Sequence, residues 1–413
     1  MLYSLYIHVP FCTHRCAYCD FNTYAGQEAL IPAYVDALIH EINFIRQQLT
    51  NDRLPISTIF FGGGTPSLLS PPQFDSLLHS IRSAFALTAT PEITIEANPG
   101  TCSFAQLQEL RSLGINRISF GVQSSNPFEL RMLERTHTFF DVIEAVTSAR
   151  KAGFDNLNLD LIYGLPEQTL ASWQTTVRRI LDLHPEHISA YALTLEHGTP
   201  FGRWASKGLL PLPDPDLAAE MYEWLGETLE ANGYVQYEIS NWAKFVKSPK
   251  SEVTGLTFDL QPLTPAFACR HNLQYWRSLP YLGLGAGAHG YAGGYRYSNV
   301  LRIKTYIERM TNHQFTNYQF TNHPFPLSPA AVSHHRQTIE DDMSEYMLNN
   351  LRLVKAGVAE ADFRSRFGRE LREVYGREVD DLLHSGLLEY QQGVYRLTLR
   401  GRLLGNRVFV RFV

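Results

Sequence analysis

The sequence predicts an α/β protein built on a parallel sheet, and three observations carry that expectation. Six short β-like runs begin near Ser4, Thr58, Glu92, Arg117, Asn156 and His187. Helical stretches separate them. In the first, Ile31, Tyr34, Val35, Leu38, Ile39, Ile42 and Ile45 recur at three- and four-residue steps, the period of one buried helical face. Composition agrees, since 413 residues with 44% hydrophobic and 19% charged content describe a globular chain large enough for one large domain and a smaller one. Strands that alternate with helices run parallel, because each return crossing is itself a helix.

Several function classes are disfavoured at once. A net charge of −5 gives no electrostatic case for nucleic acid as the main partner. The five Cys, at 12, 16, 19, 102 and 269, are an odd number with three packed together, which is metal usage and not a disulfide framework. No run of about 18 apolar residues occurs, so no transmembrane segment is expected. Met1 to Pro10 lacks the basic start and cleavage site of a signal peptide. The expected location is the cytoplasm, where thiols stay reduced.

The first strand runs into Cys12-Thr-His-Arg-Cys16-Ala-Tyr-Cys19, a C-x3-C-x2-C spacing. Three thiolates suit a four-iron cluster and leave one iron for a ligand from outside the protein. A closed zinc site wants four protein ligands, and no fourth Cys or His lies close behind Cys19. His14, inside the trio, is the candidate that would complete one. The spacing alone tips toward the cluster, and the rest of the chain decides between the two.

The other unusual residues also fall at strand ends. Strand two, Thr-Ile-Phe-Phe, runs into Gly62-Gly-Gly-Thr65-Pro-Ser; strand three delivers Glu96 and Asn98. Strand four carries Ser119, Gly121 and Gln123, and strand five ends in Asp160-Leu-Ile-Tyr-Gly-Leu-Pro166. In parallel barrels the loops after the strands build the active site, so these groups should share one mouth. Each has a use there. Successive glycines let backbone N–H and C=O groups approach a ligand, although a lone triplet is equally a tight turn. Glu96 and Asp160 are acids in otherwise apolar runs, costly unless a polar ligand or cation meets them. Gln123 suits ribose hydroxyls, and Arg135 suits a carboxylate through its planar fork.

These motifs together resemble the HemN/HemW branch of the radical S-adenosylmethionine (SAM) superfamily, the proteins like oxygen-independent coproporphyrinogen III oxidase, and within it the heme-chaperone group HemW. The resemblance rests on Tyr-Ile-His-Val-Pro-Phe-Cys12, Gly62-Gly-Gly-Thr-Pro-Ser67, Ile-Glu96-Ala-Asn-Pro, Arg117-Ile-Ser-Phe-Gly-Val-Gln123-Ser, Arg135-Thr-His137 and Asp160-Leu-Ile-Tyr-Gly-Leu-Pro166. Farther on come Tyr237-Glu-Ile-Ser-Asn-Trp-Ala243, Cys269-Arg-His-Asn-Leu-Gln-Tyr-Trp276 and Gly283-Leu-Gly-Ala-Gly-Ala-His289-Gly, so it spans nearly the whole chain. It implies a partial (βα)6 TIM-like barrel over 1–240, a connecting region over 241–326 and a small winged-helix-like domain over 327–413. It further implies a [4Fe-4S] cluster on Cys12, Cys16 and Cys19. Tyr6, Tyr18, Gly63, Gly64, Thr65, Glu96, Gln123, Arg135 and Asp160 would line SAM sites.

The resemblance also separates chaperone from oxidase. Two residues after the third cluster ligand the oxidases carry another Cys, where this chain has Phe21, and only eleven residues precede Cys12. His271-Asn272-Leu-Gln-Tyr275-Trp276 matches the H-N-x-x-Y-W motif associated with heme in the chaperone group. A neutral imidazole can ligate heme iron with aromatics covering the porphyrin, and Cys269 is a second axial candidate. Core packing of the same aromatics is the plain alternative. The implied partners are heme and acceptor hemoproteins, with peripheral contact to membrane-bound acceptors, and the expected function is heme transfer. The alternatives are coproporphyrinogen III dehydrogenation and, disfavoured by charge, DNA binding by the winged helix.

Two segments read blandly. Residues 244–268 form a polar, proline-containing surface insertion, and 311–325 repeat Thr-Asn-x-x-Phe, with His313 and His323 at no metal-site spacing. The C-terminal domain should open with a helix holding Tyr346, Met347, Leu351 and Leu353 and close in β-like runs around Val394 to Thr398. Residues 360–413 hold ten Arg, no Lys and eight Asp plus Glu, with no basic block suited to phosphates.

Overall fold

In the computed structural model, which describes residues 2–49, 53–245, 265–312, 325 and 327–413, the six expected strands are present. They are β1 (Tyr3–Val9), β2 (Pro55–Gly63), β3 (Ala86–Ala97), β4 (Arg117–Gln123), β5 (Leu157–Tyr163) and β6 (His187–Ala192). Strands β1 to β5 pair in sequence order and all parallel. The register sets Glu96 beside Ser119 and Gly121 beside Asp160, so the polar residues share one end of the sheet.

Helices return the chain between strands. The first, α1 (Ile31–Gln48), buries Ile31, Tyr34, Val35, Leu38, Ile42 and Ile45 as the periodicity predicts, with Ile39 only half-buried. Side chains at the loop ends start the later helices. Ser103 Oγ accepts the Gln106 N–H and the Gln106 side chain accepts the Ser103 N–H; Thr138 and Asp141 repeat the arrangement. Such boxes satisfy two orphan donors of a first turn and fix where loop becomes helix.

The chain divides into two units: Met1–Pro185 with Ala190–Met221 and Pro280–Arg336, and Glu186–Ser189 with Tyr222–Leu279 and Gln337–Val413. In the first, the sheet continues beyond β1. Tyr281–Leu284 pairs parallel with β1, and His289–Ala292, Tyr295–Asn299 and Ala331–Arg336 follow as an antiparallel meander. These strands were not foreseen. They are short and glycine-interrupted, and a Cβ at Gly283 would run into the His289 carbonyl, so the pattern carries little alternation. Glu41 of α1 ties them down. Its carboxylate accepts Ser328 Oγ and Tyr306 Oη at 2.6 Å, the Gly285 N–H at 2.8 Å and Asn299 Nδ2 at 2.9 Å. Burial raises its pKa and those four bonds pull it back.

In the second unit, His187–Ser189 pair antiparallel with Asn241–Lys244, which pairs with Tyr234–Glu238. Helix Arg270–Trp276 carries the expected heme motif. The last part runs helix Ile339–Asn350, strand Val358–Ala359, helices Glu360–Phe367 and Leu371–His384, then strands Leu388–Gln391 and Val394–Leu397, the order of a winged helix. Met343, Met347, Leu351, Phe363, Leu382 and Tyr395 form its core. Its first helix ends at Asn350, so Leu351 caps it and Leu353 lies beyond, although both are buried. Most of 244–268 and of 311–325, with His313 and His323, lies outside the described residues.

Candidate functional site

One cavity of about 470 Å³ opens at the C-terminal ends of the strands in the first unit. Cys12, Cys16, Cys19 and Tyr18 line it from the loop after β1, and Gly63, Gly64 and Thr65 from the end of β2 and its loop. Glu96 enters from β3 and Asn98 from just beyond it, Gln123 from β4 and Asp160 from β5, with Arg135 from the turn after helix Pro127–Met132. Tyr6 does not line it. Its hydroxyl bonds His8 Nδ1 at 3.0 Å, and its ring stacks on Phe60. Tyr191, Thr194 and Glu196 also line the cavity, from β6 and the loop behind it. They escaped the sequence reading because no motif marks them, although their place after a sixth strand was the available signal.

The glycine run works differently from its expected use. Gly63 N–H goes to Glu96 Oε2 at 3.0 Å, Gly64 N–H to Val9 O at 2.9 Å and Thr65 N–H to Phe11 O at 2.8 Å. These donors are spent within the protein. A Cβ at Gly64 would meet the Val9 and Phe11 carbonyls and Cys12 Sγ, so glycine is what lets this turn lie against the cysteine loop.

Around the thiols, Thr65 Oγ1 donates to Cys12 Sγ at 3.6 Å, Arg135 Nη1 donates to Cys16 Sγ at 3.6 Å, and Thr23 Oγ1 lies 3.9 Å from Cys19 Sγ. Burial pushes the Cys12 and Cys19 thiols up, while the Thr65 bond and Arg135 oppose it at Cys12. Among the described residues no three His, Cys, Asp or Glu side chains close to single-ion spacing. His14 Nε2 instead meets Glu134 Oε2 at 3.3 Å. Three sulfurs on one rim, each with a donor, fit a multi-atom iron-sulfur cluster better than mononuclear zinc.

The carboxylates differ in their support. Asp160 accepts Ser119 Oγ at 2.7 Å and Asn158 Nδ2 at 2.8 Å. Glu96 accepts the Gly63 N–H, and burial followed by the negative charge of Asp160 pushes its carboxyl up to about 7. Gln123 holds a left-handed backbone (φ 67), a conformation that non-glycine residues keep only where the surroundings impose it. Arg135 Nη2 is taken by Asn98 Oδ1 at 2.5 Å and by Gly121 O at 2.7 Å, and its Nε is buried without a partner. His137 gives Nε2 to Val122 O at 3.1 Å, and burial followed by Arg135 lowers its pKa to about 4, so it is neutral.

The H-N-x-x-Y-W segment belongs to the second unit. His271 is 1% exposed, with Nε2 2.8 Å from Tyr275 Oη. Asn272 is half-buried, and the Arg352 guanidinium covers the Trp276 ring at 4.5 Å. Cys269 is buried at the helix start, its N–H on Tyr237 Oη at 3.3 Å. Of the four motif residues His271 alone is buried, while Asn272, Tyr275 and Trp276 are half-buried.

Comparison with known proteins follows the same division. The radical SAM superfamily model matches residues 6–180, and the HemN C-terminal domain model matches residues 337–404. The chain is 38% identical over 412 residues to the heme chaperone HemW of Bacillus subtilis, covering 99% of each chain. It is 36% identical over 410 residues to the heme chaperone HemW of Lactococcus lactis, covering 99% of this chain and 97% of the relative. The solved structure of Escherichia coli coproporphyrinogen III oxidase (HemN), a radical SAM enzyme, superposes with a TM-score of 0.77 at 24% identity, over 100% of this chain and 89% of that one, a likeness of fold. With near-complete coverage at that level of identity, the chain belongs to the HemW family of radical SAM proteins.

Proposed function

We propose that this protein is a heme chaperone that binds heme and passes it to acceptor hemoproteins, working in the cytoplasm with a [4Fe-4S] cluster and SAM. The observation that carries the reading is the end-to-end likeness to HemW chaperones. Cys12, Cys16 and Cys19 would hold the cluster, which supplies one-electron transfer when bound. Glu96, Gln123, Asp160 and the carbonyls of the glycine turn would hold SAM, with Tyr18 and Arg135 closing the side nearest Cys16. Phe21, 65% exposed at the cavity rim, presents an apolar ring where the oxidases carry a thiol. His271 is the proposed iron ligand, with Asn272, Tyr275 and Trp276 around it.

No helix among the described residues is long and apolar enough to cross a membrane, so delivery to a membrane-bound acceptor would be by peripheral contact. Anaerobic reconstitution followed by separate heme-binding and coproporphyrinogen III assays tests the proposal. Heme binding and transfer to an apo-hemoprotein without porphyrinogen turnover is the expected result. Turnover with SAM and a strong reductant would instead identify a coproporphyrinogen III dehydrogenase.

A further inference from the structure

Asn98 lies just beyond β3, and its backbone is pinned. Its carbonyl accepts both the Thr101 N–H at 3.1 Å and Thr101 Oγ1 at 2.6 Å, and Pro99 restricts it to an extended conformation. The side chain bridges two of the sulfur donors. Its Oδ1 accepts from Arg135 Nη2, and Nη1 of the same guanidinium reaches Cys16 Sγ. Its Nδ2 donates to Thr65 Oγ1 at 3.0 Å, and Thr65 Oγ1 donates to Cys12 Sγ.

The direction of each bond follows from chemistry. A guanidinium only donates, so the amide oxygen must face Arg135 and the amide nitrogen must face Thr65. A threonine hydroxyl has one proton. Once its oxygen accepts from Asn98, that proton is left for the sulfur. Few other side chains offer a donor and an acceptor on one planar group at this length, and aspartate, of the same shape, has no proton to give the Thr65 oxygen.

We propose that Asn98 is a positioning residue that aims two hydrogen-bond donors, Thr65 and Arg135, at the Cys12 and Cys16 thiolates, and so raises the reduction potential of the cluster. This rests on the reading that the three cysteines hold that cluster. Reduction adds one electron to a cluster whose ligand sulfurs already carry negative charge, and donors to those sulfurs stabilise the reduced form. Thr23 serves Cys19 independently of Asn98, so the effect is confined to two of the three sulfurs.

The test is a redox titration, followed by electron paramagnetic resonance, of the full-length reconstituted protein without SAM, after iron and sulfide have been counted. N98D keeps the shape but turns the Thr65 proton toward its own carboxylate. About a tenfold fall in the reduced-to-oxidised ratio at fixed potential is expected, equivalent to 59 mV for one electron. T65V should shift the potential the same way and T65S should stay near the parent. If N98D fails to hold the cluster, the Thr65 pair decides alone: T65S at the potential of T65V overturns the proposal. So do N98D and T65V chains with complete clusters at the parent potential. Retention of a full cluster by C12S, C16S or C19S would defeat the ligand assignment instead, a separate outcome.

Discussion

Nε2 of His271 and Oη of Tyr275 share a 2.8 Å hydrogen bond across one turn of helix Arg270–Trp276, and their rings meet edge to face at 5.0 Å. The four-residue spacing inside the H-N-x-x-Y-W segment puts the two side chains on one helical face. Iron ligation through Nε2 must first break this bond. Y275F is therefore expected to tighten heme binding by about 3- to 10-fold, the worth of one neutral hydrogen bond. H271A should alter the Soret spectrum and weaken heme retention with iron content unchanged. An unaltered spectrum in H271A would move the ligand elsewhere, with Cys269 next to test.

Asp160 is held by Ser119 and Asn158, so its carboxylate is oriented before any ligand arrives. D160A is expected to weaken SAM binding by about 10- to 100-fold, as loss of a charge-assisted hydrogen bond does. Equilibrium binding on the reconstituted protein, with iron counted in parallel, separates this from cluster loss. Unchanged SAM affinity in D160A, E96A, Q123A and R135A alike would remove these residues from the SAM site.

Glu96 gives the cavity a pH signature. Its carboxyl is raised from 4.5 to about 7, so the folded chain holds the proton that the unfolded chain releases. The cost of ionising it grows as pH rises through that window and is complete above it, an upper bound of roughly 3 kcal/mol. Relative to the parent, cluster-free E96Q should gain stability from pH 5.5 to pH 8 in urea unfolding. A difference that does not change with pH would show that Glu96 is already ionised at the lower value.

Glu41 is the structural counterpart. Replacing it by Ala strands four donors in the core, and E41A is expected to cost about 3 kcal/mol or more in urea unfolding. A loss below about 1 kcal/mol would mean that water replaces the carboxylate.

Much of the site was legible because its parts are local. The cysteine spacing, the glycine run and the acids in apolar strands are each readable within a few residues, and parallel β/α order sends all of them to one end of a sheet. Tyr6 shows the limit of that logic: it sits on the right strand, yet it is bonded to His8 and is not part of the cavity lining. The glycine turn shows another. Glycine was required there, but its N–H groups serve the cysteine loop and Glu96.

By itself the sequence determined the order of the first six strands and the helices between them, the end of the sheet where the unusual residues gather, the thiolate trio and the family. Only the tertiary structure decided which partners Glu41, Asn98 and His271 meet. Tyr306 and Gly285 reach Glu41 from 265 and 244 residues away, a pairing that no periodicity encodes. Asn98 finds its partners in Thr65 and Arg135, which lie 33 and 37 residues away on either side of it. Local spacing sets which way a backbone runs and which face a side chain takes. The partner that fills a hydrogen bond is set by whatever the folded chain brings within about 3 Å, and that is a property of the whole fold.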